Sequence, residues 1–280
     1  MDEKSLGKRL QGARQAAGLT QQDLCSRANL SYSTLAKIER GAIKSPSIFT
    51  IQSIAGALHI TLDELVGAST STQTDKITSK SGVRFVYFDL NGCLVRAAVT
   101  KAAGSLAADS GVTSDVIESI FWQYNNEVCR GDKSIDELNT ALATRLGMLV
   151  DWNKYYLAAV EPTPGMIELT NWVAERYHVG IFTNTFPGLL SVMLQNGTVA
   201  SLTYDAIIDS SEIHAIKPEA RIFELALAKA GVGPEEVLLI DDDRLNLSAA
   251  GQLGWHTMSF DAYRPEESIE AIRTALEPAA

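Results

Sequence analysis

Apolar positions along this 280-residue chain change their period part-way, and the change divides it. Near the start they recur at three and four: Leu6, Leu10, Ala13 and Ala17 give one face to a first helix, closed by Gly18. Thr20 reads as the N-cap of a second helix, Gln21 to Ala28, with Asp23 three residues on in a capping-box-like position. After a turn at Asn29 and Leu30, Ser31 reads as the cap of a third helix, Tyr32 to Arg40, which stops at Gly41. Two short helices flanking a tight turn predict a helix-turn-helix. Its core falls to Leu24, Leu35, Ile38, Ile51, Leu58 and Leu65.

Residues 68–82 hold one large apolar residue, Ile77, among small polar ones, which predicts a flexible linker. Beyond it the pattern becomes continuous short apolar runs alternating with helical spacing. Phe85 to Asp89, His178 to Phe182, Asp205 to Ser210, Val237 to Ile240 and His256 to Phe260 suit strands, the first buried on both faces. Between them Ile117, Ile120 and Phe121, then Ile135, Leu138, Leu142 and Leu146, recur at helical spacing over about 105–149, and Met166 to Arg176 reads as an amphipathic helix. The expected fold is therefore multidomain: an all-α helix-turn-helix bundle at 1–67, the linker, and an α/β doubly wound three-layer domain at 83–275.

Composition narrows the setting. No stretch approaches the roughly 20 apolar residues of a membrane span, and the polar N-terminus predicts a protein that is not exported. Cys25, Cys93 and Cys129 are odd in number and form no Cys-x-x-Cys pair, which argues against a disulfide framework and a structural zinc site and fits a cytoplasmic location. The net charge of −10 is unevenly spread: residues 1–70 carry eight basic and six acidic residues, net +2, leaving sixteen basic and twenty-eight acidic, net −12, for the rest. Only the head is suited to a polyanion.

The chemistry gathers at strand ends. Asp89 closes the first strand, where open α/β sheets place their crevices, and Gly92 permits the sharp turn that follows. Asp241, Asp242 and Asp243 follow the Val237 run; three adjacent carboxylates are costly together without a cation, so a hard divalent ion is expected.

At these residues the chain resembles a known family. Phe88-Asp89-Leu90-Asn91-Gly92-Cys93-Leu94 is similar to the first motif of the haloacid dehalogenase-like (HAD) hydrolases. The resemblance implies a Rossmann-like fold, Asp89 as a covalent nucleophile and Mg²⁺ as cofactor. It also exposes a departure: Asn91 stands where phosphatases of the family carry an acid/base Asp, and an amide transfers no proton at neutral pH. Thr183-Asn184-Thr185 resembles the second motif, implying that the Thr183 hydroxyl and the Asn184 amide bind phosphate. Lys217-Pro218 resembles the third, placing an ammonium beside the nucleophile, and His214 reads as structural. Asp242 matches the principal magnesium ligand, with Asp241 in support, Asn246 secondary, and Asp89 and the Asn91 carbonyl completing the set. A segment of about 98–161 looks like the family's helical cap, whose Trp122, Tyr124 and Arg130 either select the substrate or pack cap against core.

Residues 5 to about 67 resemble the lambda-repressor and Cro type of helix-turn-helix domain, through Gly18-Leu19-Thr20-Gln21-Gln22-Asp23-Leu24, Leu30 to Gly41, Pro46-Ser47 and Leu62-Asp63-Glu64-Leu65. That similarity implies a homodimer on double-stranded DNA. Gln21 would touch the phosphate backbone, and Ser31, Tyr32, Ser33, Thr34 and Lys37 would line the major-groove face; Glu39 and Arg40 read as a solvated pair or as a brace. The expected function is a transcriptional regulator whose hydrolase-like body binds Mg²⁺ and a small phosphorylated ligand with weak or no turnover. The alternative is an active phosphohydrolase that the head localises or regulates.

Overall fold

The computed structural model describes residues 3–28, 30–43, 46–58, 76–96 and 98–278. Leu62 to Leu65 and linker residues 68–75 lie outside them. Contacts divide the chain into two compact units, 1–73 and 74–280. No helix among the described residues is long and apolar enough to cross a membrane.

The first unit holds α1 (Glu3–Ala16), α2 (Gln21–Ala28), α3 (Tyr32–Glu39) and α4 (Ile48–Leu58). Leu10, Leu24, Leu35, Ile38, Ile51, Ile54 and Leu58 are buried together at its centre. Thr20 and Asp23 form the reciprocal cap, Asp23 Oδ2 accepting from Thr20 N at 2.9 Å and Thr20 Oγ1 from Asp23 N at 3.1 Å. Ser31 Oγ accepts from Thr34 N, and α3 ends at Glu39 with Arg40 as its C-cap. Glu39 does not pair with Arg40. It is buried and bound by Arg14, with Nε to Oε1 at 2.7 Å, while Arg40 Nε returns to the Ala36 carbonyl. The brace thus ties α1 to α3, and Gly7 lets the two helices approach: a Cβ there would stand 2.6 Å from the Ile38 carbonyl oxygen.

The second unit runs β1 (Phe85–Phe88), β2 (Val95–Arg96), α5 (Ala98–Ser110), α6 (Ser114–Arg130), α7 (Ile135–Leu146), α8 (Trp152–Ala159), β3 (Glu161–Pro162), α9 (Met166–Arg176), β4 (His178–Thr183), α10 (Leu189–Gln195), β5 (Ala206–Asp209), α11 (Ser210–Ile213), α12 (Ala220–Ala230), β6 (Val237–Asp241), α13 (Arg244–Gln252), β7 (His256–Ser259) and α14 (Pro265–Ala275). Five strands form a parallel sheet in the order β5-β4-β1-β6-β7. β1 is central because both its faces are apolar: Val86 and Phe88 enter one core, Phe85 and Tyr87 the other. The chain lays β4 and β5 on one side of β1 and then β6 and β7 on the other. That switch opens a crevice beyond the carboxyl ends of β1, β4 and β6.

Helices α5–α8 form an insertion between β2 and β3, which pair antiparallel through Val95 with Pro162 and Arg96 with Glu161. It turns helical at Ala98, earlier than the expected Ser105, because its buried stripe of Ala98, Ala102, Ala103 and Leu106 is mostly alanine and gives little hydrophobic contrast. The expected linker also differs at its end. Ile77 packs on the large core, its N–H donates to the Arg176 carbonyl, and Ser79 bridges to Pro278. Residues 76–82 are thus anchored to the second unit, through one apolar side chain on the core and backbone bonds to the end of α9 and to residues 277–278.

Candidate active site

The loops after β1, β4 and β6, the Lys217 loop and the helical insertion enclose a cavity of about 400 Å³. At its floor Lys217 Nζ donates to Asp89 Oδ1 at 2.6 Å and to Asp241 Oδ2 at 2.5 Å, with all three side chains buried. Burial pushes the Asp89 carboxyl upward against the pull of Lys217. The two carboxylates outweigh the desolvation of the lysine and hold it protonated. With the more exposed Asp242 at its edge, the site holds three carboxyl groups against one ammonium, a formal excess of negative charge that a cation would offset.

The three consecutive aspartates have separate tasks, which differs from their expected convergence on one cation. Asp241 turns inward to Lys217, to the Asp243 N–H at 2.8 Å and to Asn246 Nδ2 at 3.2 Å. Asp243 accepts from Leu245 N at 2.7 Å and caps α13. Asp242 alone faces Asp89 across Gly92, whose φ is +89°; a Cβ there would fall 2.0 Å from Asp242 Oδ2. Desolvation, then Asp241, lifts the Asp242 carboxyl to about 6. One atom each from Asp89, Asp242 and Cys93 lie within 4.8 Å of one another, a spacing that could hold an ion. The two carboxylates suit a hard cation. The Cys93 thiol does not: burial raises its pKa well above the usual thiol range, and its Sγ–H points to the Ile240 carbonyl. Asp241 and Asn246, both expected as ligands, are engaged with each other because the buried Lys217 claims Asp241 first.

Asn91 is held at both ends. Its Oδ1 accepts from the Tyr156 hydroxyl of α8, and its Nδ2 donates to the Asn184 carbonyl at 3.4 Å. Burial, then the Asp89 charge, keeps the Tyr156 phenol protonated. Tyr156 has no motif signal; its helical spacing from Trp152 reads as packing, and only the tertiary fold carries it to Asn91. Asn184 clamps the second loop to the third: its Nδ2 donates to the Lys217 carbonyl at 2.9 Å and its Oδ1 accepts from Lys217 N at 2.8 Å. Thr183 is fully buried beneath the cavity, whose wall at this strand end is Asn184 and Thr185; neither threonine Oγ1 has a hydrogen-bond partner.

The insertion supplies an aromatic roof. Phe121 meets Trp122 edge-on at 4.9 Å, Trp152 at 4.8 Å and Phe186 at 5.6 Å, and all four line the cavity. Trp122 is nonetheless 59% exposed, a large apolar surface left to solvent at the mouth. Arg130, expected near the substrate, is committed elsewhere: it pairs with Glu219 and with Asp132, and its carbonyl faces His214 Nδ1 at 3.1 Å. It joins insertion to core, because Glu219 beside the Lys217 loop is the nearest opposite charge. Tyr124 lies under Lys133 Nζ at 4.6 Å.

In the first unit, Ser31, Tyr32, Ser33 and Lys37 are exposed along α3, and Thr34 is half-buried. The Ser31 hydroxyl is shared among Thr34 N, Ser33 Oγ and Thr34 Oγ1, so it serves first as a cap. Gln21 donates to Glu39 Oε2 at 2.6 Å, which fixes its side chain against the Arg14–Glu39 brace.

Comparison with known proteins agrees with both units. A family model described as "Helix-turn-helix" matches residues 10–65, and one described as "haloacid dehalogenase-like hydrolase" matches residues 83–254. An immunity repressor protein of Bacillus phage phi105 is 42% identical over 66 residues, covering 24% of this chain and 45% of that protein. The pyrimidine 5'-nucleotidase YjjG of Escherichia coli is 34% identical over 83 residues, covering 29% of this chain and 36% of that protein. The chain spans less than half the length of the curated relatives it matches. Among solved structures, a predicted HAD-like family hydrolase from Porphyromonas gingivalis superposes with a TM-score of 0.59 at 25% identity, over 70% of this chain and 99% of that one. A HAD family enzyme from Bacteroides thetaiotaomicron, solved with magnesium and inorganic phosphate, gives 0.56 at 21%, over 65% and 96%.

Proposed function

The chain belongs to the haloacid dehalogenase-like hydrolases and carries a helix-turn-helix unit ahead of the hydrolase fold, and from that premise we propose a DNA-binding regulator whose crevice senses a small phosphorylated ligand with magnesium. The observation that carries this reading is Asn91. The acid/base place beside Asp89 holds a carboxamide pinned between Tyr156 and Asn184, so neither protonation of a leaving group nor activation of water is available there. General acid–base catalysis contributes about 10²–10⁴-fold, and its loss leaves binding intact.

Asp89, Asp242 and the Asn91 backbone carbonyl would hold the magnesium ion, which when bound supplies charge neutralisation for the phosphoryl group. The excess of carboxyl groups over the single ammonium and the magnesium in the Bacteroides enzyme both support that cation. Lys217 keeps Asp89 aligned and offsets anionic charge, and Asn184 and Thr185 frame the phosphate position, with Thr183, expected to donate its hydroxyl, buried beneath them. The nucleotidase and repressor relatives favour, in turn, a phosphate ester as effector and an operator as target. On DNA the exposed Tyr32, Ser33 and Lys37 face bases and the protein acts as a homodimer on two half-sites.

A second reading, slow phosphohydrolysis, draws on the intact Asp89, Lys217 and Asp242. Operator selection from random DNA, run beside a phosphate-ester screen with Mg²⁺, separates the two. An enriched operator whose occupancy responds to a phosphate ester supports the sensor. Brisk Asp89-dependent phosphate release with no enriched operator supports the hydrolase instead.

A further inference from the structure

We propose that Tyr156 is a positioning residue that fixes Asn91 as a hydrogen-bond donor toward a bound tetrahedral anion, which makes the crevice a phosphate receptor rather than a disabled hydrolase. The inference rests on the phosphate-site reading above and explains how that site holds its ligand. A carboxamide has two donor hydrogens on one end and an acceptor on the other, in nearly the same shape, so its neighbours decide which end serves the ligand. Here they decide unambiguously. The Asn184 carbonyl can only accept, which puts Nδ2 on its side at 3.4 Å, and the Tyr156 hydroxyl donates to Oδ1 from the other side. A flipped amide would set oxygen against oxygen at Asn184, while the Tyr156 hydroxyl tethers the other end of the side chain. With one lone pair of Oδ1 taken by Tyr156 and one N–H directed to Asn184, the donor that Asn91, a cavity-lining residue, has left for a bound anion is its second N–H.

A carboxyl there would have no N–H to offer an anion, and its second oxygen meets the Asn184 carbonyl only when it carries a proton. The Tyr156 contact also crosses from the helical insertion to the core, since Tyr156 belongs to α8 and Asn91 to the loop after β1. Anion binding is therefore coupled to a seated insertion: when α8 moves away, Asn91 keeps only the 3.4 Å bond to the Asn184 carbonyl and its donor is held less firmly.

The test is calorimetric titration of the full chain with inorganic phosphate in saturating Mg²⁺, for wild type, Tyr156→Phe, Asn91→Ala and the double variant. Tyr156→Phe removes one oxygen and should weaken phosphate about tenfold, the scale of one hydrogen bond to a charged group. Asn91→Ala should weaken it at least as much. The double variant should bind no worse than Asn91→Ala, because Tyr156 acts only through Asn91, and Mg²⁺ affinity measured alone should not change in Tyr156→Phe. Wild-type affinity in Tyr156→Phe, or a loss that adds in full to that of Asn91→Ala, overturns the inference. Should Tyr156→Phe fold poorly, Asn91→Asp decides: phosphate affinity at least tenfold weaker supports the donor role, and unchanged affinity refutes it. Wild type that binds Mg²⁺ but no phosphate at millimolar concentration is a different result, sinking the phosphate-site reading and this inference together.

Discussion

Asn91, one carboxamide among four charged groups, sets the chemistry of the crevice. If proton transfer is the missing step, Asn91→Asp should raise steady-state release of phosphate from an activated aryl phosphate by at least tenfold, within the roughly 10²–10⁴-fold span of acid–base catalysis. Asp89→Asn should abolish activity in either background, and no gain from Asn91→Asp would mean that the crevice has diverged in more than this residue. Asp242 carries a pH prediction. Its carboxyl is lifted to about 6, first by desolvation and then by Asp241, above the ordinary unfolded value of about 3.9. As pH rises through that interval the unfolded chain releases its proton first, so the metal-free fold loses stability and is relieved by acid. Magnesium requires the ionised forms of both Asp242 and Asp89, so its affinity should climb as pH rises from about 5 to 8. A titration series that stays flat across this range, or a magnesium-dependent rise in melting temperature that survives Asp242→Ala, removes Asp242 from the site.

Between elements, close contact decides the sign of otherwise routine changes. Gly7 and Gly12 both lie in α1, and alanine should favour the helix at either by about 1 kcal/mol. At Gly12 nothing lies within 4 Å of the added Cβ, so Gly12→Ala should stabilise. At Gly7 the Cβ would press on the Ile38 and Glu39 carbonyl oxygens at 2.6 and 2.7 Å, and backbone cannot step aside cheaply; overpacking of about 1–3 kcal/mol should outweigh the propensity. Chemical denaturation of the two variants should move in opposite directions, and parallel shifts would contradict the α1–α3 packing. The brace beside it is stricter. Arg14→Leu leaves Glu39 buried with Gln21 as its remaining partner, a loss of about 3–5 kcal/mol for a broken buried pair. A change below about 1 kcal/mol in the same denaturation experiment would show that Glu39 reaches water.

Over the whole molecule, net +2 on residues 1–70 against −12 on the remainder predicts that DNA contact is confined to the first unit and weakens with salt. Operator selection should enrich a two-fold-related site with half-sites about one helical turn apart. Thr34→Ala with Lys37→Ala should lower affinity for it about tenfold or more, and unchanged affinity would remove α3 from recognition. The order of elements and both families were legible in the chain because they rest on local signals: the Thr20–Asp23 and Ser31 caps, the Phe85–Phe88 run, the glycines at Gly18, Gly41 and Gly92, and motifs at strand ends. The resemblance of those strand-end motifs to the family is what singles out Asp89, Lys217 and Asp242 as site candidates. Which partner each side chain takes was not legible. Asp241, Asp242 and Asp243 are consecutive and alike, and only the arrival of Lys217 from a distant loop, the open Cα of Gly92 and the start of α13 give them three different tasks. Arg130 found Glu219, Ile77 found the core, and Tyr156 found Asn91 across 65 residues of chain. Local propensity acts over a few residues and is written in the sequence. Hydrogen bonds and ion pairs between distant segments depend on where the folded backbone brings them, and only the tertiary structure decides that.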